Sequence, residues 1–182
     1  MRDLREDMAS ILLTEEEIHQ RVRELGQEIS RDYEDKEPIF IGVLKGCFVF
    51  MADLIRQVTV PCSMDFMAVS SYGNATTTTG AVKINKDLSQ DIEGKHVVIV
   101  EDILDSGVTL HYLTGYLGNR KPASISIATL LDKPSRRKAD VAAKYCGYTV
   151  PDAFVVGYGL DYAEKYRNLP YIGILKPEIY SN

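Results

Sequence analysis

Ile18, Val22, Leu25 and Ile29 recur at spacings of four, three and four, the apolar stripe of a helix that buries one face. Thr14, with Glu17 three positions on, supplies a capping box at its start. After Pro38 the pattern changes, because IFIGVL (39–44) is an unbroken apolar run of the kind that fills a strand buried on both faces. Beyond Lys45-Gly46, CFVFMADLIRQV (47–58) predicts a helix packed on that strand, and CSMDFMAVS (62–70) predicts another strand. SYGNATTTTGAV (71–82) has no periodicity and reads as a long polar loop. AVKIN (81–85) then leads toward the β-branched run VVIV (97–100), and a helix begins after Gly107, where Leu110, Leu113, Tyr116 and Leu117 share a face. ASISIATLL (123–131) predicts a strand, and DAFVVGYGLDY (152–162) and YIGIL (171–175) predict two short ones with a charged turn between them. This order implies an α/β fold whose twisted, mainly parallel sheet is flanked by helices. No repeat or linker divides the chain, so one domain is expected.

Composition narrows the function classes. A chain of 182 residues, 45% hydrophobic and 26% charged, is long enough for one sizeable core and has the balance of a soluble globule. The net charge of −5 argues against nucleic acid as a partner, so any bound anion must be held by local donors. Cys47, Cys62 and Cys146 are odd in number and form no Cys-x-x-Cys pair, which points away from a disulfide framework or structural zinc and toward reducing cytoplasm. No apolar stretch approaches the ~18 residues of a membrane span, so no membrane association is expected.

The chemistry concentrates in VVIVEDILDSGVTL (97–110). Glu101 and Asp102 end an otherwise buried run, and Ser106, Gly107, Val108, Thr109 and Leu110 bridge that strand to a helix. The N–H groups of such a helix start converge on one point with the positive end of the helix dipole behind them, which suits a phosphate. The acids would repel a second phosphate but accept hydrogen bonds from hydroxyls, so a sugar bearing one phosphate, such as ribose 5-phosphate, fits the pattern. The same residues also fit an ordinary helix start with an Asp or Ser N-cap. Neither G-x-x-x-x-G-K-[ST] nor a G-x-G-x-x-G after a strand is present.

VVIVEDILDSGVTL resembles the phosphoribosyl pyrophosphate motif of the type I phosphoribosyltransferases, and EDILDSG is similar to their hypoxanthine-guanine branch in particular. LKG (44–46), SYG (71–73), LLDK (130–133), FVVGYGLDY (154–162) and Arg167 follow in that branch's order. The resemblance implies a core over about 35–150, a hood from the N-terminal segment and about 151–182, and a mobile lid over about 70–82. It further implies that Glu101 and Asp102 bind the ribose hydroxyls directly or through Mg²⁺, and that Asp105 and Ser106 to Leu110 complete the ribose 5′-phosphate site. Asp105 resembles the general base or acid near purine N7. Lys45 and Gly46 resemble the pyrophosphate loop, with a non-proline cis peptide between Leu44 and Lys45, and Arg167 fits a pyrophosphate contact. Ser71 and Tyr72 belong to the lid that excludes water. Lys133 resembles the donor to purine O6, Phe154 the residue that stacks on the base, and Val155 the source of main-chain contacts to it. Asp161 lies at the purine site and is similar to the acid that holds Mg²⁺ on the pyrophosphate side. Where Val108 stands, some members carry lysine, which leaves the phosphate more dependent on backbone donors.

The implied activity is purine salvage: hypoxanthine or guanine displaces pyrophosphate from phosphoribosyl pyrophosphate, giving IMP or GMP in an enzyme that is usually a dimer or tetramer. Each assigned residue also has a plainer reading. Lys133 fits a solvated basic run, Phe154 fits a core position, and Asp105 fits a helix cap. A non-catalytic regulator built on the same site would need a basic face or a helix-turn-helix segment, and the chain shows neither. A transferase for xanthine or a pyrimidine is the nearer rival, against which Lys133, Phe154 and Asp161 favour a 6-oxopurine.

Overall fold

The computed structural model describes residues 3–71 and 82–181. A 3-10 turn (Leu4–Asp7) leads into β1 (Met8–Leu13), followed by α1 (Glu15–Asp32), β2 (Ile39–Leu44), α2 (Phe48–Ile55), β3 (Ser63–Ser71) and β4 (Val82–Lys86). Then come β5 (His96–Leu104), α3 (Val108–Gly118), β6 (Ser124–Asp132), β7 (Tyr145–Thr149), β8 (Val155–Val156), β9 (Ile172–Leu175) and α4 (Pro177–Tyr180). No described helix is long and apolar enough to cross a membrane.

Six strands form the main sheet in the order β4-β3-β2-β5-β6-β7. All neighbours run parallel except the edge pair β3–β4. β2 is central and its residues alternate between two packed layers. Phe40 points toward α1 and α2 with Val98 and Val100, while Ile39 and Ile41 point toward α3 with Val97 and Ile99. Burial on both faces is why IFIGVL needs no polar position.

α1 begins at the expected capping box: Thr14 Oγ1 accepts from the Glu17 N–H at 3.2 Å, and Glu17 Oε2 accepts from the Thr14 N–H at 2.8 Å. Its stripe of Ile18, Val22, Leu25 and Ile29 is buried in the same cluster as Phe50 and Leu54 of α2. Each buried side chain contributes roughly 1.5–3 kcal/mol against about 1 kcal/mol for the cap, so burial decides which face turns inward and the cap decides where the helix starts.

A second, antiparallel sheet, β1-β9-β8, is made from the two ends of the chain. Tyr166 Oη donates to the buried Asp7 Oδ2 at 2.8 Å beneath it. Leu13, Val155 and Ile172 of this sheet join the core on the α1 and α2 side, which fixes the small sheet on the large one.

Three expectations are corrected. Burial does not end at Glu101-Asp102: β5 continues through Leu104, paired with β6 as far as Leu104↔Asp132, and Asp102 is only 8% exposed. α2 stops at Ile55, short of the anticipated end at 58. The segment DAFVVGYGLDY contributes a strand of only Val155–Val156, because positive φ at Gly157, Tyr158 and Gly159 turns the chain out of the sheet.

Asp65 on β3 ties the main sheet to the turn after β4. Its carboxylate accepts N–H groups from Phe66 (2.7 Å), Ser89 (2.7 Å) and Gln90 (3.1 Å), and Lys86 lies 3.5 Å away. Burial alone would raise its pKa, but these donors and the Lys86 charge hold it below the usual carboxylate range. Asp65→Ala should therefore cost about 2–4 kcal/mol near neutral pH by leaving buried N–H groups unpaired. A depressed folded pKa stabilises above the unfolded value near ~3.9 and is lost as pH falls through the folded one, so the gap between wild type and variant in thermal unfolding should close below about pH 4. A gap that does not change with pH contradicts this account.

Candidate active site

The carboxyl ends of β2 and β5 meet at a tight packing point. Asp102 Oδ1 accepts from the Ile103 N–H at 2.8 Å, and a Cβ placed on Gly46 would collide with the Asp102 carboxylate. Gly46 is thus the residue type that lets the Lys45-Gly46 loop lie directly on this acid. The Leu44–Lys45 peptide is cis. On the other side of the loop, Gly159 approaches the Gly46 carbonyl closely, and its own carbonyl accepts from Arg167 Nη1 at 2.8 Å. Burial raises the Asp102 pKa, and burial followed by the adjacent Asp102 charge pushes that of Glu101 well above the usual carboxylate range. Two adjacent acids, Asp102 buried and Glu101 half-buried, favour a ligand or cation beside them.

A cavity of about 280 Å³ opens beside them, lined by Glu101, Asp102, Asp105, Ser106, Gly107, Thr109 and Leu110. Gly107 is the N-cap of α3, with φ +78° and no side chain of its own to cap the helix. The expectation that Asp105 could cap α3 is therefore overturned: the chain enters the helix through a left-handed glycine two residues later, which leaves the first-turn N–H groups facing the cavity. Val108 is absent from the cavity wall, and its N–H donates to Ser106 Oγ at 3.4 Å.

A second cavity, of about 430 Å³, contains Lys133, Phe154, Val155 and Asp161, the four residues expected around a base. It shares Ile103 and Asp105 with the first cavity. Asp105 Oδ1 is buried, makes no hydrogen bond, and lies 3.6 Å from Arg136 Nε. Lys133 is no member of a solvated run: it is 5% exposed, its Nζ donates to the Ala153 carbonyl at 2.5 Å, and burial lowers its pKa. Phe154 is 38% exposed at the cavity rather than buried in the core, and it stacks on Tyr180 with centroids 4.7 Å apart.

The two basic residues assigned to pyrophosphate come together although 122 positions apart. Lys45 Nζ donates to Glu164 Oε2 at 2.9 Å, and Arg167 Nη2 reaches Glu164 Oε1 at 3.3 Å and Asp161 Oδ1 at 2.9 Å. Arg167 Nε is buried and lacks a hydrogen-bond acceptor. The hydrogen bond from Lys45, with further help from Arg167, holds the Glu164 pKa below its usual range. Ser71 ends β3, and Tyr72 with most of the expected lid lies outside the described residues. Among the described residues no three His, Cys, Asp or Glu side chains group closely enough to hold a metal unaided.

Glu164, Arg136, Leu160 and Tyr180 were not anticipated at the site. A Glu three residues before Arg167 was a visible signal for the first of them. Nothing near Tyr180 distinguished it from any other tyrosine in the chain.

A family model for the phosphoribosyl transferase domain matches residues 8–163. The chain is 57% identical over 179 residues to the hypoxanthine-guanine phosphoribosyltransferase of Bacillus subtilis strain 168, covering 98% of this chain and 99% of that one. It is 56% identical over 176 residues to the protein of the same description from Staphylococcus aureus strain Mu50, covering 97% and 98% respectively. A crystal structure of a hypoxanthine phosphoribosyltransferase from Staphylococcus aureus superposes with a TM-score of 0.96 at 55% identity, covering 98% of this chain and 97% of that one. Fold, motif order and this extent of likeness agree that the chain belongs to the phosphoribosyl transferase domain family.

Proposed function

We infer that the chain is a hypoxanthine-guanine phosphoribosyltransferase, transferring the 5-phosphoribosyl group of phosphoribosyl pyrophosphate to N9 of a 6-oxopurine and releasing pyrophosphate. The observation that carries this reading is the pair of cavities joined at Asp105, one lined by the glycine-capped start of α3 and the other by a buried lysine. The relatives' shared description supports it.

In this reading the first turn of α3 holds the 5′-phosphate, and Glu101 and Asp102 accept hydrogen bonds from the ribose hydroxyls. The base enters the larger cavity against Phe154. Lys133 spends one donor on the Ala153 carbonyl, and its remaining donors face purine O6. Adenine has no oxygen there and would leave those remaining donors of a buried ammonium unsatisfied. As N9 attacks ribose C1 and pyrophosphate leaves, positive charge develops on the sugar. Asp105, whose Oδ1 is sheltered and makes no hydrogen bond, handles the proton at N7. Lys45, Gly46 and Arg167 receive the departing pyrophosphate, with the buried Arg167 Nε as a free donor. IMP and GMP are the products, and hood, lid, cytoplasmic setting and dimeric or tetrameric assembly belong to the same proposal.

Mg²⁺ fits this site. Glu101 and Asp102 are desolvated acids at the ribose side, Asp161 stands at the other cavity, and a cation of this kind commonly takes one or two carboxylates with the rest of its shell from phosphates and water. When bound, it would neutralise charge on the diphosphate. Turnover should vanish in excess chelator and return with added Mg²⁺, and undiminished turnover under chelation would remove the metal from this account.

Lys133→Ala should raise KM for hypoxanthine and guanine by roughly 1–3 kcal/mol in binding, about 5- to 150-fold, while that for phosphoribosyl pyrophosphate changes little. Equal losses for both substrates would contradict the O6 assignment. Asp105→Asn should keep its melting temperature, because Asp105 caps nothing, and still bind phosphoribosyl pyrophosphate, while kcat falls roughly 10²- to 10⁴-fold. Near-normal kcat in that variant would show that the N7 proton is handled elsewhere.

A further inference from the structure

We propose that Glu164 is an internal competitor of pyrophosphate: its carboxylate occupies the anion's place between Lys45 and Arg167, and it must swing out each time a diphosphate binds. The inference rests on the assignment of these two cations to pyrophosphate.

Glu164 spans both cations, with Oε2 2.9 Å from Lys45 Nζ and Oε1 3.3 Å from Arg167 Nη2. No other hydrogen bond or ion pair of the Lys45 ammonium accompanies this one among the described residues. The Glu164 main chain is fixed: φ is +62°, its N–H donates to Asp161 Oδ2 at 2.9 Å, and the bridge Tyr162↔Lys165 closes the turn around it. Its side chain, by contrast, is 64% exposed and that of Lys45 68%, so the carboxylate can rotate into water without moving the backbone. Arg167 stays anchored when it does, through the Gly159 carbonyl and Asp161.

A carboxylate in this position lowers diphosphate affinity in two ways. It occupies donors that the incoming anion needs, and it adds a negative charge where the anion already carries several. The effect applies to substrate and product alike, so it speeds release of pyrophosphate while weakening capture of phosphoribosyl pyrophosphate. Exposed ion pairs are individually weak, which limits the effect to about three- to tenfold.

The test is Glu164→Gln, which keeps the side chain's length and removes its charge. Isothermal titration of the full-length protein with magnesium pyrophosphate should show binding about three- to tenfold tighter than wild type at low ionic strength, with the difference shrinking at high salt. KM for phosphoribosyl pyrophosphate should fall in parallel, and KM for hypoxanthine should stay the same. Unchanged or weaker pyrophosphate binding in Glu164→Gln overturns the proposal. Lys45→Ala, titrated alongside, separates the site from the competition. If that variant binds pyrophosphate more weakly while Glu164→Gln is unchanged, the pyrophosphate site stands and the competition fails. If Lys45→Ala binds pyrophosphate as well as wild type does, the site assignment falls and the competition with it.

Discussion

The contact between the Asp102 carboxylate and the backbone at Gly46 is the constraint on which the site depends. A buried acid at the end of a central parallel strand is unfavourable unless something compensates it, and here the compensation is partial: one N–H from Ile103 and no basic side chain in hydrogen-bonding contact among the described residues. The Lys45-Gly46 loop can lie against that acid only because residue 46 lacks a side chain. Gly159 then packs against the same loop from the far side, held by Arg167. Two chain segments that share no strand pairing are thereby positioned on one carboxylate, and the cations they carry arrive together.

Asp105 owes its position to the end of β5, which lies one residue before it. Beyond Leu104 the chain turns out of the sheet and enters α3 at Gly107, so Asp105 stands on the wall between two cavities rather than inside either. Because α3 starts with a left-handed glycine, only a long contact from the Val108 N–H to Ser106 Oγ engages its start, and Asp105 is relieved of capping. Local backbone geometry has thus separated the helix start from the Asp105 carboxylate within three residues.

Much of this was legible in sequence where a single physical cause dominates. IFIGVL announced a doubly buried strand because both faces of β2 are covered, and Thr14 with Glu17 marked the start of α1 because that pairing satisfies two N–H groups at once. The cluster around residues 101–110 was visible because acids and a helix-start glycine in such close succession have few uses. The features that stayed hidden depend on distant partners. β1 carries three exposed positions in six and pairs irregularly with β9, so MASILL shows no clean alternation. β7 is a short edge strand with a glycine in its middle, paired with β6 and tied to α1 by Arg21, whose guanidinium donates to the Cys146 and Gly147 carbonyls. The burial of Lys133 could not be read from a stretch that continues into Ser135-Arg136-Arg137-Lys138, since it is set by the turn after β6 and the Ala153 carbonyl. The placement of Glu164 between two cations required the folded loop.

The pairing of β1 with β9 has a consequence for how the protein acquires its activity during synthesis. Residues 8–13 leave the ribosome before any strand of the large sheet, but their partner at residues 172–175 is made after all of them. The parallel sheet through β6 can assemble while the chain is still growing, since each strand meets a neighbour already made. The small sheet cannot, and with it the wall of the larger cavity formed by Phe154, Val155 and Tyr180 must wait. A nascent chain therefore completes the start of α3 well before it completes the cavity wall at Phe154, Val155 and Tyr180. The two cavities mature in a fixed order, the smaller before the larger.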